Sequence, residues 1–129
     1  MIRGTTAQWK LKLPYTYDEI SDIKIIFWQP GNPSSTLPII KSKQNCRRLS
    51  AQEVLVSLRP SETAVFSDRY RAKMQLTITP AFGSPIGIEE RLITVYPMPD
   101  NIIADDSSMD PDIPIGEEWV ILNGDVIEN

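Results

Sequence analysis

The sequence predicts an all-β protein, a small antiparallel β-sandwich followed by an extended acidic C-terminal arm. Three observations carry that prediction. β-Branched residues dominate: 17 Ile with Val and Thr make 31, against nine Leu and six Ala, and such side chains suit the pleated, half-buried surface of a sheet. Apolar and polar residues alternate with period two in several short runs bounded by Pro, Gly and Asn. No run with helical period exceeds about two turns. About six or seven short strands in the first ~95 residues describe a sandwich rather than a parallel α/β fold.

The elements follow in order. In residues 9–13, Trp9, Leu11 and Leu13 alternate with Lys10 and Lys12, and Pro14 ends the strand. Residues 23–29 read as a second strand, apolar on both faces and therefore central or covered twice. The run Pro30-Gly31-Asn32-Pro33-Ser34-Ser35 is turn chemistry throughout. A short third strand covers residues 37–42, with Pro38 implying an edge or a strand start. In residues 53–58, Val54, Val56 and Leu58 alternate with Glu53, Leu55 and Ser57, and Pro60 is the stop. Residues 61–66 suggest one helical turn capped by Ser61 and pinned to the core by Phe66.

The clearest strand is residues 69–79. Tyr70, Ala72, Met74, Leu76 and Ile78 occupy one face, and Arg69, Arg71, Lys73, Gln75 and Thr77 the other. The loop Pro80-Ala81-Phe82-Gly83-Ser84-Pro85 reverses the chain, and residues 86–96 return beside it. Glu89-Glu90 breaks the alternation, which predicts a bulge.

Pro97-Met98-Pro99 cannot continue a ladder and marks a boundary, giving a sandwich domain of residues 1–97 and an arm of residues 98–129. Charge divides at the same point. Residues 1–97 hold all 13 bases against eight acids, a net +5, whereas the arm holds nine acids and no base, a net −9. The arm is either a solvated acidic tail or a segment lying along a basic surface of its own body or a neighbour. Its apolar residues favour docking, because a merely solvating segment lacks aromatics and β-branched residues. Trp119, Ile121, Leu122 and Val126 are the expected apolar anchors, and Arg69, Arg71 and Lys73 the expected basic face. Asn123-Gly124 suggests a short terminal hairpin; alternatively the stretch is one strand added to a partner's sheet edge.

The composition narrows the chemistry. With no His and one Cys among 129 residues, the chain lacks the commonest general base, Ser-His-Asp and Cys-His nucleophile pairs, and a thiolate zinc site. We therefore expect no enzyme activity, no cofactor and no metal. Cys46 reads as a small half-buried hydrophobe or, alternatively, as a thiol activated by Arg47 and Arg48. Asp106, Ser108, Asp110, Asp112 and Glu117 nearly match a calcium-loop spacing, but Pro111 stands where that loop needs Gly. Glu89 and Glu90, adjacent in a strand, point to opposite faces and cannot act as a carboxylate pair. Trp9, Trp28 and Trp119 read as core or interface residues rather than a sugar-stacking platform. The longest apolar run, Ile25-Ile26-Phe27-Trp28, has four residues, far short of the ~20 that cross a bilayer. The first residues have no apolar secretory segment. The basic residues alternate with apolar ones as solvent-facing strand positions do, so direct nucleic-acid binding is not expected.

The opening Met1-Ile2-Arg3-Gly4-Thr5-Thr6 and the strand after it resemble the start of short proteins encoded among virion genes of tailed bacteriophages and gut-bacterial prophages. The likeness continues loosely through Ile23-Lys24-Ile25, the Cys46 region, the Ser61-Glu62-Thr63 turn, the strand of residues 69–79 and the closing Ile121-Leu122-Asn123-Gly124-Asp125-Val126-Ile127. The acidic stretch from Asp105 to Glu118 departs from the pattern. The resemblance implies a single immunoglobulin-like sandwich with no catalytic residues. It implies a structural virion protein of the tail, neck, baseplate or capsid surface, made in the host bacterial cytoplasm and assembling with other virion proteins or as a homo-oligomer or ring. Competing expectations are a sugar-binding or adhesion module using Phe82 with Trp28, and a small cytoplasmic inhibitor or adaptor.

Overall fold

A computed structural model describes residues 1–32, 38–88, 90–98, 117–120 and 126–127, the last two segments by their backbone pairing. The elements are β1 (Ala7–Lys12), a 3-10 turn (Tyr17–Glu19), β2 (Ile20–Trp28), β3 (Ile39–Ser42), a second 3-10 turn (Lys43–Asn45), β4 (Arg47–Arg48), β5 (Glu53–Leu58), a one-turn helix α1 (Pro60–Thr63), β6 (Ala72–Pro80), β7 (Ile86–Ile88) and β8 (Arg91–Ile93). Beyond Met98, β9 (Glu117–Val120) and β10 (Val126–Ile127) follow.

The protein is mostly β, with two antiparallel sheets of three and five strands built before Met98, an arrangement consistent with a β-sandwich. In the smaller sheet, β5 lies between β4 and β1, with Ala7 opposite Leu58 and Lys12 opposite Glu53. In the larger, β2 lies between β3 and β6, and β7 and β8 both pair with the far side of β6.

Alternation decides which side chains meet. Trp9 and Leu11 of β1 and Val54, Val56 and Leu58 of β5 join Ile23, Ile25 and Phe27 of β2 and Met74, Leu76 and Ile78 of β6 in one buried cluster. Trp9 and Phe27 join the two sheets, their rings 5.2 Å apart and tilted by 38°, a geometry worth about 0.5–1.5 kcal/mol beyond the area it buries. The second strand is central rather than covered twice: Lys24 on its outer face is exposed, and Ile26 and Trp28 are half-buried.

Four local readings are corrected. The helical turn is not capped by Ser61; Arg59 precedes it, Pro60 takes its first position, and the Arg59 N–H donates to the Glu62 carboxylate at 2.9 Å. Pro60 thus starts α1, its preset φ matching the first turn, as well as ending β5. The strand expected from residue 69 begins at Ala72, because the Tyr70 carbonyl accepts a bond from the Gln29 side chain instead of entering the ladder. The returning segment is two strands rather than one. Thr77 faces Gly87 but Met74 faces Arg91, so the returning side spends one more residue than β6 over this interval, the offset expected of a bulge. Finally, β9 and β10 do not pair with each other as a hairpin. β9 runs parallel to β1 in the smaller sheet, and β10 runs antiparallel to β7 in the larger.

The N-terminal hexapeptide folds around a turn in which Thr5 N–H donates to the Ile2 carbonyl at 3.3 Å. Gly4, at φ +76°, takes the left-handed position, and the Met98 side chain covers it. Arg3 N–H donates to the Tyr96 carbonyl at 3.1 Å, and Thr63 Oγ1 donates to the Thr5 carbonyl at 2.7 Å. This turn therefore gathers α1 and the end of the body at the point where the arm departs.

Candidate functional site

Two features stand out: the sheet edges that receive the described parts of the arm, and a basic cleft between three loops.

At the first edge, Trp9, Lys10, Leu11 and Lys12 lie in register with Glu117, Glu118, Trp119 and Val120. Lys10 also forms a 2.7 Å ion pair with Glu53. The hydrogen bonds from Lys10 and then Ser50 hold the Glu53 carboxyl below the usual carboxylate range. At the second edge, Val126 lies opposite Ile88 and Ile127 opposite Gly87. Between Met98 and Glu117 run the 18 residues of 99–116, which at ~3.3 Å each could span up to about 60 Å. In this structure β9 joins β1 of its own chain.

The expected interface residues distribute unevenly. Trp119 falls on β9 and Val126 on β10, while Ile121 and Leu122 lie outside the described residues. Arg69 and Arg71 are exposed and precede β6; Lys73 lies on β6 and pairs with Glu90 at 3.1 Å. Lys73 and the β1 edge that receives β9 therefore belong to different sheets, and Arg69 and Arg71 lie in the loop before β6. The calcium-like spacing falls outside the described residues except for the Glu117 backbone. Cys46 is half-buried, and burial pushes its thiol up to about 11, with Lys41 lowering it and Asp22 raising it. The neighbouring arginines thus do not make a thiolate of it. Phe82 is 98% exposed but follows Pro80, whereas Trp28 pairs with Lys73 at the other end of β6. Seven residues of strand, about 23 Å, separate those ends, so the two aromatics form no shared platform.

The cleft has a volume of about 320 Å³ and is lined by Arg3 and Asn32, by the run Val65, Phe66 and Ser67, and by Arg69 and Tyr70. Its framework is the buried Gln29 amide, 2% exposed. Gln29 Nε2 donates to the Ser67 and Tyr70 carbonyls at 2.6 and 2.8 Å, and its Oε1 accepts from Ser67 N–H at 2.7 Å and from Asn32 Nδ2 at 2.6 Å. Gly31, at φ +84°, lets the chain pass beside Tyr70. Arg3 reaches in from the N-terminal turn, its Nη2 donating to the Ala64 carbonyl at 2.9 Å, while its buried Nε has no hydrogen-bond partner among the described residues. Sequence reading missed Arg3, Gln29 and Asn32. A single Gln at a strand end carries no pattern that marks it as buried, and the three cleft segments are far apart in sequence.

Comparison with protein-family models, curated sequences and solved structures finds no match to this chain.

Proposed function

We propose that the protein is a non-enzymatic structural component of a tailed bacteriophage virion, an immunoglobulin-like β-sandwich that works through protein–protein assembly. It is made in the host bacterial cytoplasm and ends in the virion, joined to other virion proteins or to copies of itself, as an oligomer or ring. The observation that supports this reading is the ladder between β9 and β1 of the same chain: the same pairing made with β1 of a neighbouring copy is an assembly contact built from equivalent hydrogen bonds. A strand added by backbone hydrogen bonds takes its affinity from the ladder and its selectivity from alternate side chains. The charge split supports the same reading: an arm of net −9 follows a body of net +5, and opposite charge speeds encounter and sets register. Phe82 and Trp28 lie near opposite ends of β6, so the glycan-binding alternative draws no support from a shared platform of these two aromatics.

The test is absolute molar mass by light scattering for the full chain and for a chain ending at Pro97. Among the described residues, the buried hydrophobic core lies within residues 9–95, and the shorter chain retains those residues. The expected result is an oligomer for the full chain and a folded monomer for the truncation, with Trp119→Ala weakening assembly more than Asp105→Asn with Asp106→Asn, because apolar anchors carry most interface energy. Equal monomers that also fail to join virion proteins on reconstitution, or the reversed ranking of the substitutions, would refute the proposal.

A further inference from the structure

Lys10, Lys41, Arg48 and Lys73 each face a carboxylate. Among the described residues Arg3 and Arg69 form no ion pair, both line the same 320 Å³ cleft, and no acidic residue lines it with them. Two unneutralised guanidinium groups at one cavity repel each other and are suited to an anion. Arg3 adds a sign of incompleteness, since its buried Nε has no hydrogen-bond partner among the described residues and buried donors are nearly always satisfied.

The rest of the lining selects the anion. Phosphate sites generally offer a nest of free backbone N–H groups. Here three of the N–H groups in residues 65–70 are engaged: Phe66 N–H donates to the Thr63 carbonyl, Ser67 N–H to Gln29 Oε1 and Arg69 N–H to Ser67 Oγ. Recognition then falls to the guanidinium groups, whose planar fork matches carboxylate and phosphate alike; the apolar surface beside the fork favours a carboxylate on an apolar body over a fully hydrated phosphate. Val65 and Tyr70 remain 46% and 42% exposed beside them and offer apolar surface to whatever carries that carboxylate.

We infer that the cleft between Arg3 and Arg69 binds a carboxylate borne on an apolar body, either a small organic acid or an acidic side chain next to an apolar one in a peptide. Arg69, exposed at the cleft, supplies the fork; Arg3, held by the Ala64 carbonyl, supplies the second positive charge; Tyr70 and Val65 cover the apolar part. The Gln29 hydrogen bonds hold the loops in place before the ligand arrives, which lowers the ordering cost of binding. The inference is independent of the arm and stands or falls apart from the virion assignment.

The test is an amide NMR titration of the full chain at low salt with benzoate, benzyl alcohol, inorganic phosphate and the blocked dipeptide acetyl-Phe-Asp-amide. Benzoate is expected to shift the amides of residues 65–70 and 31–32 saturably, with benzyl alcohol and phosphate at least about tenfold weaker. Arg69→Gln should weaken benzoate about tenfold, the scale of one charge-assisted bond, and Arg69→Lys should restore part of that loss. Arg69 is exposed and makes no side-chain bond among the described residues, so an unchanged melting temperature accompanies the loss. Tighter binding of the dipeptide than of benzoate identifies a polypeptide source, and the reverse a small acid. The inference is overturned if benzoate produces no saturable shift, if benzyl alcohol or phosphate binds as well as benzoate, or if Arg69→Gln leaves binding unchanged.

Discussion

Gln29 and Ser67 exchange two hydrogen bonds, the Gln29 Nε2 donating to the Ser67 carbonyl at 2.6 Å and its Oε1 accepting from the Ser67 N–H at 2.7 Å. A side-chain amide here does what a neighbouring strand would do, and it satisfies a loop that has left the sheet. Gln29→Leu keeps the volume but strands the Ser67 N–H and two carbonyls. The expected loss of stability is about 3 kcal/mol, since each buried group left unpaired costs ~1–3 kcal/mol, and urea denaturation measures it. Gln29→Glu should fare worse at neutral pH, because a carboxylate cannot donate to either carbonyl. A loss under about 1 kcal/mol for the Leu variant would show that the loop finds other partners.

The thiol of Cys46 gives a pH dependence. Burial raises it from the ordinary 9.0 to about 11, so at pH 8 its thiolate fraction, and with it the rate of alkylation by iodoacetamide, should lie about a hundredfold below that of an exposed cysteine. The unfolded chain ionises first, so the stability due to the neutral thiol is complete below pH 9 and is lost as pH rises toward 11. Denaturation curves across that window should fall less steeply for Cys46→Ala than for the parent chain. Alkylation at the rate of a free thiol would contradict the burial.

Gly4 combines two constraints that a double substitution separates. Its φ of +76° disfavours any side chain, and a Cβ there would lie 2.7 Å from the Met98 methyl carbon. Gly4→Ala should therefore cost about 1–2 kcal/mol from the backbone conformation alone, read as a lower melting temperature. Met98→Ala frees the space but not the dihedral, so adding it to Gly4→Ala should recover little. Full recovery would place the whole penalty in the contact instead.

How much was legible follows from which forces act locally. β5 was readable to the residue, because Val54, Val56 and Leu58 alternate against Glu53 and Ser57 and Pro60 stops them. β6 was readable in its middle but not at its start, where Tyr70 fits the alternation and yet its carbonyl is captured by Gln29, 41 positions away. The capping of α1 was misread since Ser61 has the better capping side chain, whereas Pro60 decides the start by its ring. The cleft was hidden for the same reason as the Gln29 contacts: Arg3, Asn32 and Arg69 carry no shared spacing, and only the fold brings them together. The arm announced itself through charge and apolar content, but its choice of edges depends on which strands the sheets leave open, and that is a property of the whole fold.

The pairing of β9 with β1 and β10 with β7 also changes what a second molecule can stick to. Open ladders invite indiscriminate stacking, and proteins blunt them by shortening or charging the outermost strand. Among the described residues, the outer strands of the body on the sides away from the arm are β4, just Arg47–Arg48, and β3, four residues that include Lys41. Both are poor templates for aggregation. The six-residue β1 is the better template, and its outer side is the one occupied by β9. A chain shortened before β9 uncovers that strand, so removal of the residues after Met98 exchanges a covered edge for an exposed template.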